Sequence, residues 1–97
     1  MNPIMKERFF RAWEVLEEYK REFPGDMLDM LENDELNLMW VRNEAGLWDD
    51  WVEDPSMIVN GIDYNPNHPD NLSALVWDTF RKTYAYEVEI NKAAFNR

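Results

Sequence analysis

The residues whose types could support chemistry are carboxylates and one histidine. His68 is the single histidine of the chain, and there is no cysteine. A catalytic base or a metal ligand normally acts together with partner side chains, so His68 is interpreted as loop surface between Asn67 and Pro69. The carboxylate pair Asp49-Asp50 could serve acid–base catalysis only if burial raised the pKa of one member. Acids packed in an exposed block do not indicate such burial.

A run rich in Asp and Asn has the ligand types of a calcium-binding loop. Asp63, Asn65 and Asn67 alternate along the chain. The sixth position of such a loop should be glycine and is His68, and the twelfth should be glutamate and is Ala74. A turn in which these side chains satisfy backbone groups is the better interpretation. With no glycine-rich phosphate loop and no nucleophile motif, we predict no metal site, no cofactor and no enzyme activity.

Composition predicts one folded, acidic helical domain over residues 1–97. Hydrophobic residues make up 45% of the chain and aromatic residues 14%, whereas disordered acidic tails lack the apolar surface that offsets chain entropy. The lack of cysteine excludes disulfides and thiolate sites and favours a reducing compartment, the cytoplasm. No stretch approaches the roughly 18 apolar residues that span a bilayer. Residues 1–13 are charged and amphipathic, unlike a signal peptide.

The net charge of −10 is concentrated in one part of the sequence. Residues 14–54 contain fourteen acids and three bases, a net charge of −11, whereas residues 1–13 carry +2 and residues 55–97 carry −1. Charge of this sign repels nucleic acid and anionic membranes, so neither is an expected direct partner. A small domain needs a net charge with a magnitude of only roughly 2–8 to stay soluble. The excess indicates a basic protein partner, and an ordinary acidic surface is the alternative.

Clusters of acids within this block suggest a binding surface. Carboxylates arrayed along helices could approximate the phosphate line of a nucleic acid, and tryptophan is a frequent hot spot when a partner desolvates it. The expected partner-binding residues are Asp26, Asp29, Glu32, Asp34, Glu35, Trp48, Asp49, Asp50, Trp51, Glu53 and Asp54. Their expected role is charge complementarity with Lys and Arg, which requires that the acids gather on one accessible side.

Periodicity predicts a mainly α fold with two long helices, at about residues 3–23 and 70–94. Asn2 can cap the first helix and Pro24-Gly25 can end it. Asp70 or Asn71 can cap the second. Apolar residues recur at three- and four-residue steps in both helices, at Met5, Phe9, Trp13, Leu16, Phe23, Leu72, Val76, Phe80, Tyr84 and Val88.

The middle of the chain is predicted to contain short helices and a small β-hairpin. Asp26 is expected to cap a short helix that breaks at Asn33-Asp34. Residues 34–52 fit either a helix or a strand, and the helix is favoured. Residues 57–64 have the strongest strand pattern, and Asn60-Gly61 predicts a tight type I′ turn.

Two functional hypotheses follow. In size, charge and lack of cysteine the chain resembles the small acidic proteins that bacteriophages use against host defences. This resemblance implies an inhibitor of the anti-CRISPR or anti-restriction kind, acting in the host cytoplasm. The first hypothesis is an inhibitor or regulator that occupies a basic surface of a nucleic-acid-binding protein or nuclease complex. The alternative is a structural protein, a virion component or assembly chaperone, that forms homo-oligomers through aromatic surfaces.

Overall fold

The computed structural model describes residues 2–95 and confirms a mainly α fold with a small β-hairpin. In chain order the elements are α1 (Pro3–Glu22), α2 (Pro24–Asn33), α3 (Leu38–Glu44), a 3₁₀ turn (Pro55–Met57), β1 (Ile58–Val59), β2 (Ile62–Asp63), α4 (Pro69–Thr83) and α5 (Ala85–Phe95). The two strands are antiparallel. The principal extents are 54 × 26 × 21 Å, so the arrangement is elongated.

The first helix begins and ends as its capping residues predict. The side-chain oxygen of Asn2 accepts a hydrogen bond of 2.8 Å from the backbone N–H of Met5. Pro3 occupies the first helical position, where its missing N–H leaves no hydrogen bond unmade. The helix ends at Glu22, and Phe23 lies outside it, with φ and ψ of −132° and 65°.

The prediction that Asp26 caps the second helix is wrong. α2 begins at Pro24, directly after Phe23, whose carbonyl accepts a 2.9 Å hydrogen bond from the N–H of Met27. Proline is preorganised for the first helical turn, so Pro24 both prevents α1 from continuing and starts α2. Asp26 lies in that first turn, where its negative charge favours the positive end of the helix dipole.

The core lies where α1, α3 and α4 meet, and α2 packs against α1. Phe9 and Trp13 pack at the margin of this core, whereas Phe23 is exposed because α1 ends before it. Burial of apolar surface is the main favourable term in folding. The buried apolar side chains are Met5, Ala12, Leu16, Met27, Leu31, Val41, Ala45, Leu47, Leu72, Val76, Trp77 and Phe80.

The long C-terminal helix predicted from the sequence is interrupted at Tyr84. α4 ends at Thr83 and α5 begins at Ala85. The hydroxyls of Thr79 and Thr83 each donate to the carbonyl four residues earlier, at 2.8 Å, which bends helices. The Tyr84 hydroxyl donates to Glu17 of α1 and holds the break in place. No Pro or Gly marks this position, so the sequence pattern contains no signal for it.

The segment 34–52 contains one short helix, over Leu38–Glu44. The side chain of Asn37 accepts hydrogen bonds of 3.1 and 3.3 Å from the N–H groups two and three residues later, which stabilises a helix over a strand. Gly46 has a φ of 65°, in the left-handed region that favours glycine, and it ends the helical path. Residues 45–54 form turns and irregular backbone instead of the favoured helix.

The predicted turn at the tip of the hairpin is confirmed. Asn60 and Gly61 have φ values of 53° and 79°, and a type I′ turn requires positive φ at both central residues. Val59 pairs with Ile62, which leaves these two residues as the whole connection between the strands.

Arg8 of α1 is a buried cation, 1% exposed, that joins α1 to two loops. Its Nε donates to Asn67 Oδ1 (2.8 Å), and its Nη2 donates to the carbonyls of Leu47 (2.8 Å) and Asn67 (3.2 Å). Its Nη1 donates to the carboxylate of Asp50. Burial lowers the pKa of Arg8 and Asp50 raises it, and a guanidinium remains charged at all ordinary pH values. A buried charge requires this complete set of partners.

Replacing Arg8 with methionine is expected to lower the free energy of unfolding by roughly 1–3 kcal/mol, because it removes the hydrogen bonds of a buried charged donor whose carboxylate partner, Asp50, is 47% exposed. The change also leaves the carbonyls of Leu47 and Asn67 without a donor. Arg21→Met is the matched control, because Arg21 lies 3.8 Å from Glu14 in an exposed pair. Urea unfolding measures both losses. Equal losses would contradict the role assigned to Arg8.

The hydrogen bond from Tyr84 to Glu17 makes the fold sensitive to high pH. This bond, with a smaller contribution from burial, raises the pKa of Tyr84 from 10.0 to about 12. The folded state therefore holds the proton more tightly than the unfolded state. The contribution of the Tyr84–Glu17 hydrogen bond to stability is complete below a pH of about 10 and is lost as the pH rises through about 12.

Tyr84→Phe is expected to flatten the fall in stability between pH 10 and 12, because it removes the titrating proton. Thermal unfolding across this range measures the slope. Tyr86→Phe is the control, since Tyr86 is exposed and makes no side-chain hydrogen bond among residues 2–95. A slope that is the same in the wild type and Tyr84→Phe would show that the bond does not stabilise the fold.

Candidate functional site

The residues expected to bind a partner form two groups in the structure. The α2 group lies on or just after α2 and consists of Asp26, Asp29, Glu32, Asp34 and Glu35. The loop group follows α3 and consists of Trp48, Asp49, Asp50, Trp51, Glu53 and Asp54. The two groups contact different parts of α1.

The two groups of the acidic block meet α1 at different points along its length, and their gathering on one accessible side stays a prediction. Arg8 and Arg11 bind Asp50 of the loop group, whereas Tyr19 donates a hydrogen bond to Asp26 of the α2 group. Positions 11 and 19 lie about 12 Å apart along the axis of α1, at roughly 1.5 Å per residue. The sequence could not show this separation, because it arises from the turn at Phe23–Pro24 and the path of the loop after α3.

Part of the α2 group serves the fold. Asp34 has a φ of 53°, and its carboxylate accepts a 2.8 Å hydrogen bond from Trp77 Nε1 and lies 3.4 Å from Arg81. Glu32 lies 3.9 Å from Lys92. These contacts hold α2 against α4 and α5 and neutralise two of the acids. The members of the group that form no ion pair among residues 2–95 are Asp26, Asp29 and Glu35.

The loop group retains as many unpaired acids as the α2 group, three of its four carboxylates. Asp50 is 47% exposed and lies 2.6 Å from Arg11 as well as against Arg8. Asp54 accepts hydrogen bonds from the N–H (3.1 Å) and hydroxyl (2.7 Å) of Ser56 and starts the 3₁₀ turn. The members that form no ion pair within the described part of the chain are Asp49, Glu53 and Asp54.

His68 joins the tryptophans of the loop group to the start of α4. Its ring lies edge-on to Trp48 and Trp51, with centroids 5.3 and 5.1 Å apart. Its Nδ1 accepts a 3.0 Å hydrogen bond from the N–H of Asp70. His68 therefore caps α4, and the prediction of Asp70 or Asn71 as the cap is wrong. The histidine is half-buried instead of lying on the loop surface, because two distant tryptophans cover it.

The Asp63–Asn67 run consists of side-chain turns, as its structural interpretation predicts. Asp63 accepts the N–H of Asn65 (2.8 Å), and Asn65 accepts the N–H of Asn67 (2.9 Å). Asn71 donates to the carbonyls of Asp63 and Asn65, both at 2.9 Å, and ties the hairpin to α4. In residues 2–95 no group of three or more His, Cys, Asp or Glu side chains is placed to hold a metal ion.

None of the helices in the described ranges combines the length and the apolar character that a membrane span requires.

The hairpin contributes an apolar face that was not among the expected site residues. Val59 pairs with Ile62, and the N–H of Tyr64 donates to the carbonyl of Met57 at 2.9 Å. Side chains alternate along a strand, so these four lie on one face of the hairpin. All four are exposed, from 40% for Met57 to 62% for Tyr64. In the sequence, the apolar residues of this face occupy every second position on either side of Asn60-Gly61, and this alternation is the signal that identifies it.

The loop group and the hairpin face belong to one stretch of chain, residues 48–64, which contains five acids and neither Lys nor Arg. Arg8 holds this stretch at Asp50, and Asn71 holds it at Asp63. We call its exposed part the loop–hairpin surface. Its members are Trp48, Asp49, Val52, Glu53, Asp54, Met57, Val59, Ile62 and Tyr64. A surface of this composition can bind a partner that offers basic and apolar groups together.

His68→Ala is expected to lower the free energy of unfolding by roughly 1–2 kcal/mol, because it removes the cap of α4 and two aromatic contacts. His68→Asn supplies a side-chain oxygen that can cap the helix in place of Nδ1, so it should lose less. Both variants should shift the tryptophan emission, since Trp48 and Trp51 lose the ring between them. Urea unfolding followed by fluorescence measures both effects. Unchanged emission in both variants would contradict the packing described.

The chain was also compared with known proteins. No family model, no curated protein and no solved structure matches it.

Proposed function

We propose that the protein is a non-catalytic inhibitor or regulator that binds a basic surface of another protein through its loop–hairpin surface. The observation that carries the proposal is the composition of residues 48–64, where a net charge of −5 coincides with exposed apolar side chains. The proposed target is a nucleic-acid-binding protein or nuclease complex in the host cytoplasm. The acids would take the place of phosphates, as in an anti-CRISPR or anti-restriction protein.

The acids that remain unpaired support a role outside the fold. Asp49 and Glu53 make no side-chain hydrogen bond and no ion pair among residues 2–95. Neighbouring like charges destabilise a folded chain by mutual repulsion. These carboxylates therefore cost the isolated protein stability, and a cationic partner would relieve that cost.

The exposed apolar side chains supply the contact that prolongs a complex, which charge alone does not. Val52 is 80% exposed and Trp48 is 46% exposed, and the four apolar residues of the hairpin face are exposed in the same stretch of chain. Exposed charges chiefly raise the rate of association and are screened by salt. Large apolar side chains that a partner desolvates chiefly determine how long a complex lasts. The loop–hairpin surface offers both contributions.

The backbone that carries this surface is fixed before any partner binds. The buried guanidinium of Arg8 holds Asp50, and the edge-on contacts of His68 hold Trp48 and Trp51. Asn71 fixes the base of the hairpin through two carbonyls. A preorganised surface loses less conformational entropy on binding, so more of the contact energy appears as affinity.

The test is capture of the target from a lysate of host cells on the immobilised protein, followed by a binding titration with the purified target. Asp49→Asn, Glu53→Gln and Asp54→Asn together are expected to weaken binding by about tenfold or more at low salt. Wild-type protein is expected to displace a labelled nucleic acid from the target. Binding should weaken steeply as the salt concentration rises.

Asp26→Asn, Asp29→Asn and Glu35→Gln together form the matched control, because they remove the same charge from the α2 group. Equal weakening by both triple variants would show a response to bulk charge and contradict the assigned surface. Salt-independent binding that both variants retain would contradict mimicry. Sedimentation at several protein concentrations tests the assembly alternative, for which a stable ring or higher oligomer would be expected.

A further inference from the structure

A groove runs between α1 and α3, apart from the loop–hairpin surface. Its wider part has a volume of about 460 Å³ and is lined by Glu7, Phe10, Arg11, Glu14, Val15, Glu44 and Ala45. Its narrower part has a volume of about 170 Å³ and is lined by Val15, Glu18, Tyr19, Glu22, Trp40 and Glu44. Val15 and Glu44 line both parts, so the two form one continuous groove.

The rim of the groove is acidic along α1 and carries one glutamate, Glu44, on α3. Five of its lining side chains are glutamates and one is an arginine. Arg11 lies 4.0 Å from Glu7 and also binds Asp50, and Glu14 lies 3.8 Å from Arg21. The glutamates of the rim that form no ion pair within the described part of the chain are Glu18, Glu22 and Glu44.

The floor of the groove is apolar and aromatic. Phe10 is 52% exposed, and Val15, Tyr19 and Trp40 are half-buried. Tyr19 and Trp40 pack edge to face with ring centroids 5.3 Å apart, which fixes the floor at the junction of α1 and α3. An apolar floor with an acidic rim along α1 and Glu44 opposite matches a helix that has one apolar side and positive charge beside it.

The length of the groove suits a helix. Glu7 and Glu22 lie fifteen positions apart on α1, which is about 22 Å along the helix axis. Along α1, Glu7, Arg11, Glu14, Glu18 and Glu22 recur at three- and four-residue steps and so share one side of the helix. The charge therefore runs along about four turns of α1, and the apolar floor, from Phe10 to Tyr19, runs along about two and a half.

We infer that this groove binds a lysine- or arginine-rich amphipathic helix of a partner protein. The apolar side of that helix packs on Phe10, Val15 and Trp40, and its basic flanks lie against the unpaired glutamates. This is a helix-in-groove contact, in which apolar anchors recur at helical spacing and charge complementarity sets the orientation. The inference does not rest on the proposed function, because the groove and the loop–hairpin surface use different carboxylates.

The probe is a fluorescently labelled synthetic peptide of about fifteen residues, with leucines on one helical face and lysines on the other. Anisotropy measures its affinity for the full chain. Glu18→Gln and Glu22→Gln together are expected to weaken binding by about tenfold. Asp29→Asn and Glu35→Gln together remove the same charge outside the groove and are expected to weaken it by less than about twofold. Equal weakening by both pairs would overturn the inference.

Two further arms test the apolar floor and separate the surfaces. A peptide of identical composition with its leucines scattered around the helix is expected to bind at least about tenfold more weakly. Equal binding of the two peptides, or no effect of Phe10→Ser, would overturn the groove as the site. Asp49→Asn, Glu53→Gln and Asp54→Asn together should leave peptide binding unchanged. If that triple variant alone weakened it, the groove would be excluded while the loop–hairpin surface remained.

Discussion

The buried guanidinium of Arg8 is the constraint on which the arrangement of both loops depends. A cation that is 1% exposed must have every donor satisfied and its charge balanced. The oxygens of Leu47 and Asp50 in one loop and of Asn67 in the other meet that requirement from points far from Arg8 in the sequence. Because those points are fixed, Trp48 and Asp49 are presented by a rigid backbone. The same contact gives neighbouring acids different roles, since Asp50 neutralises Arg8 and Asp49 remains unpaired.

The carboxylates of the chain are paired with basic side chains in one region and unpaired in others. Between α2, α4 and α5 the acids Glu32 and Asp34 are matched by Lys92 and Arg81, so the charge there stabilises packing. On the loop–hairpin surface and along the rim of the α1–α3 groove, carboxylates remain unpaired among the described residues. In both of these places they border exposed or half-buried apolar side chains. Asp26, Asp29 and Glu35 of the α2 group also form no ion pair among the described residues, so the neighbouring apolar side chains, and not the unpaired charge alone, distinguish these two regions.

Local features of the fold could be predicted from the sequence because they depend on neighbouring residues. The cap at Asn2 and the Asn60-Gly61 turn need only positions a few residues apart. The roles of Arg8, His68 and Tyr84 could not be predicted, since each depends on partners brought together by the fold. The separation of the two acidic groups has the same origin. The acidic clusters were visible in the sequence, whereas the surfaces that they share with apolar residues were not.

The exposed apolar side chains can make binding specific for one basic partner. An acidic surface alone attracts any basic protein, and salt weakens all such complexes together. Discrimination requires contacts that only one partner can complete. The hairpin face presents Val59 and Ile62 at a fixed cross-strand pair, and the groove presents Phe10 and Val15 at a fixed spacing on α1. Arg11 lines the groove and is bound to Asp50 of the loop group, so its charge is neutralised where the two regions meet. Each region therefore discriminates between cationic partners through its own apolar side chains.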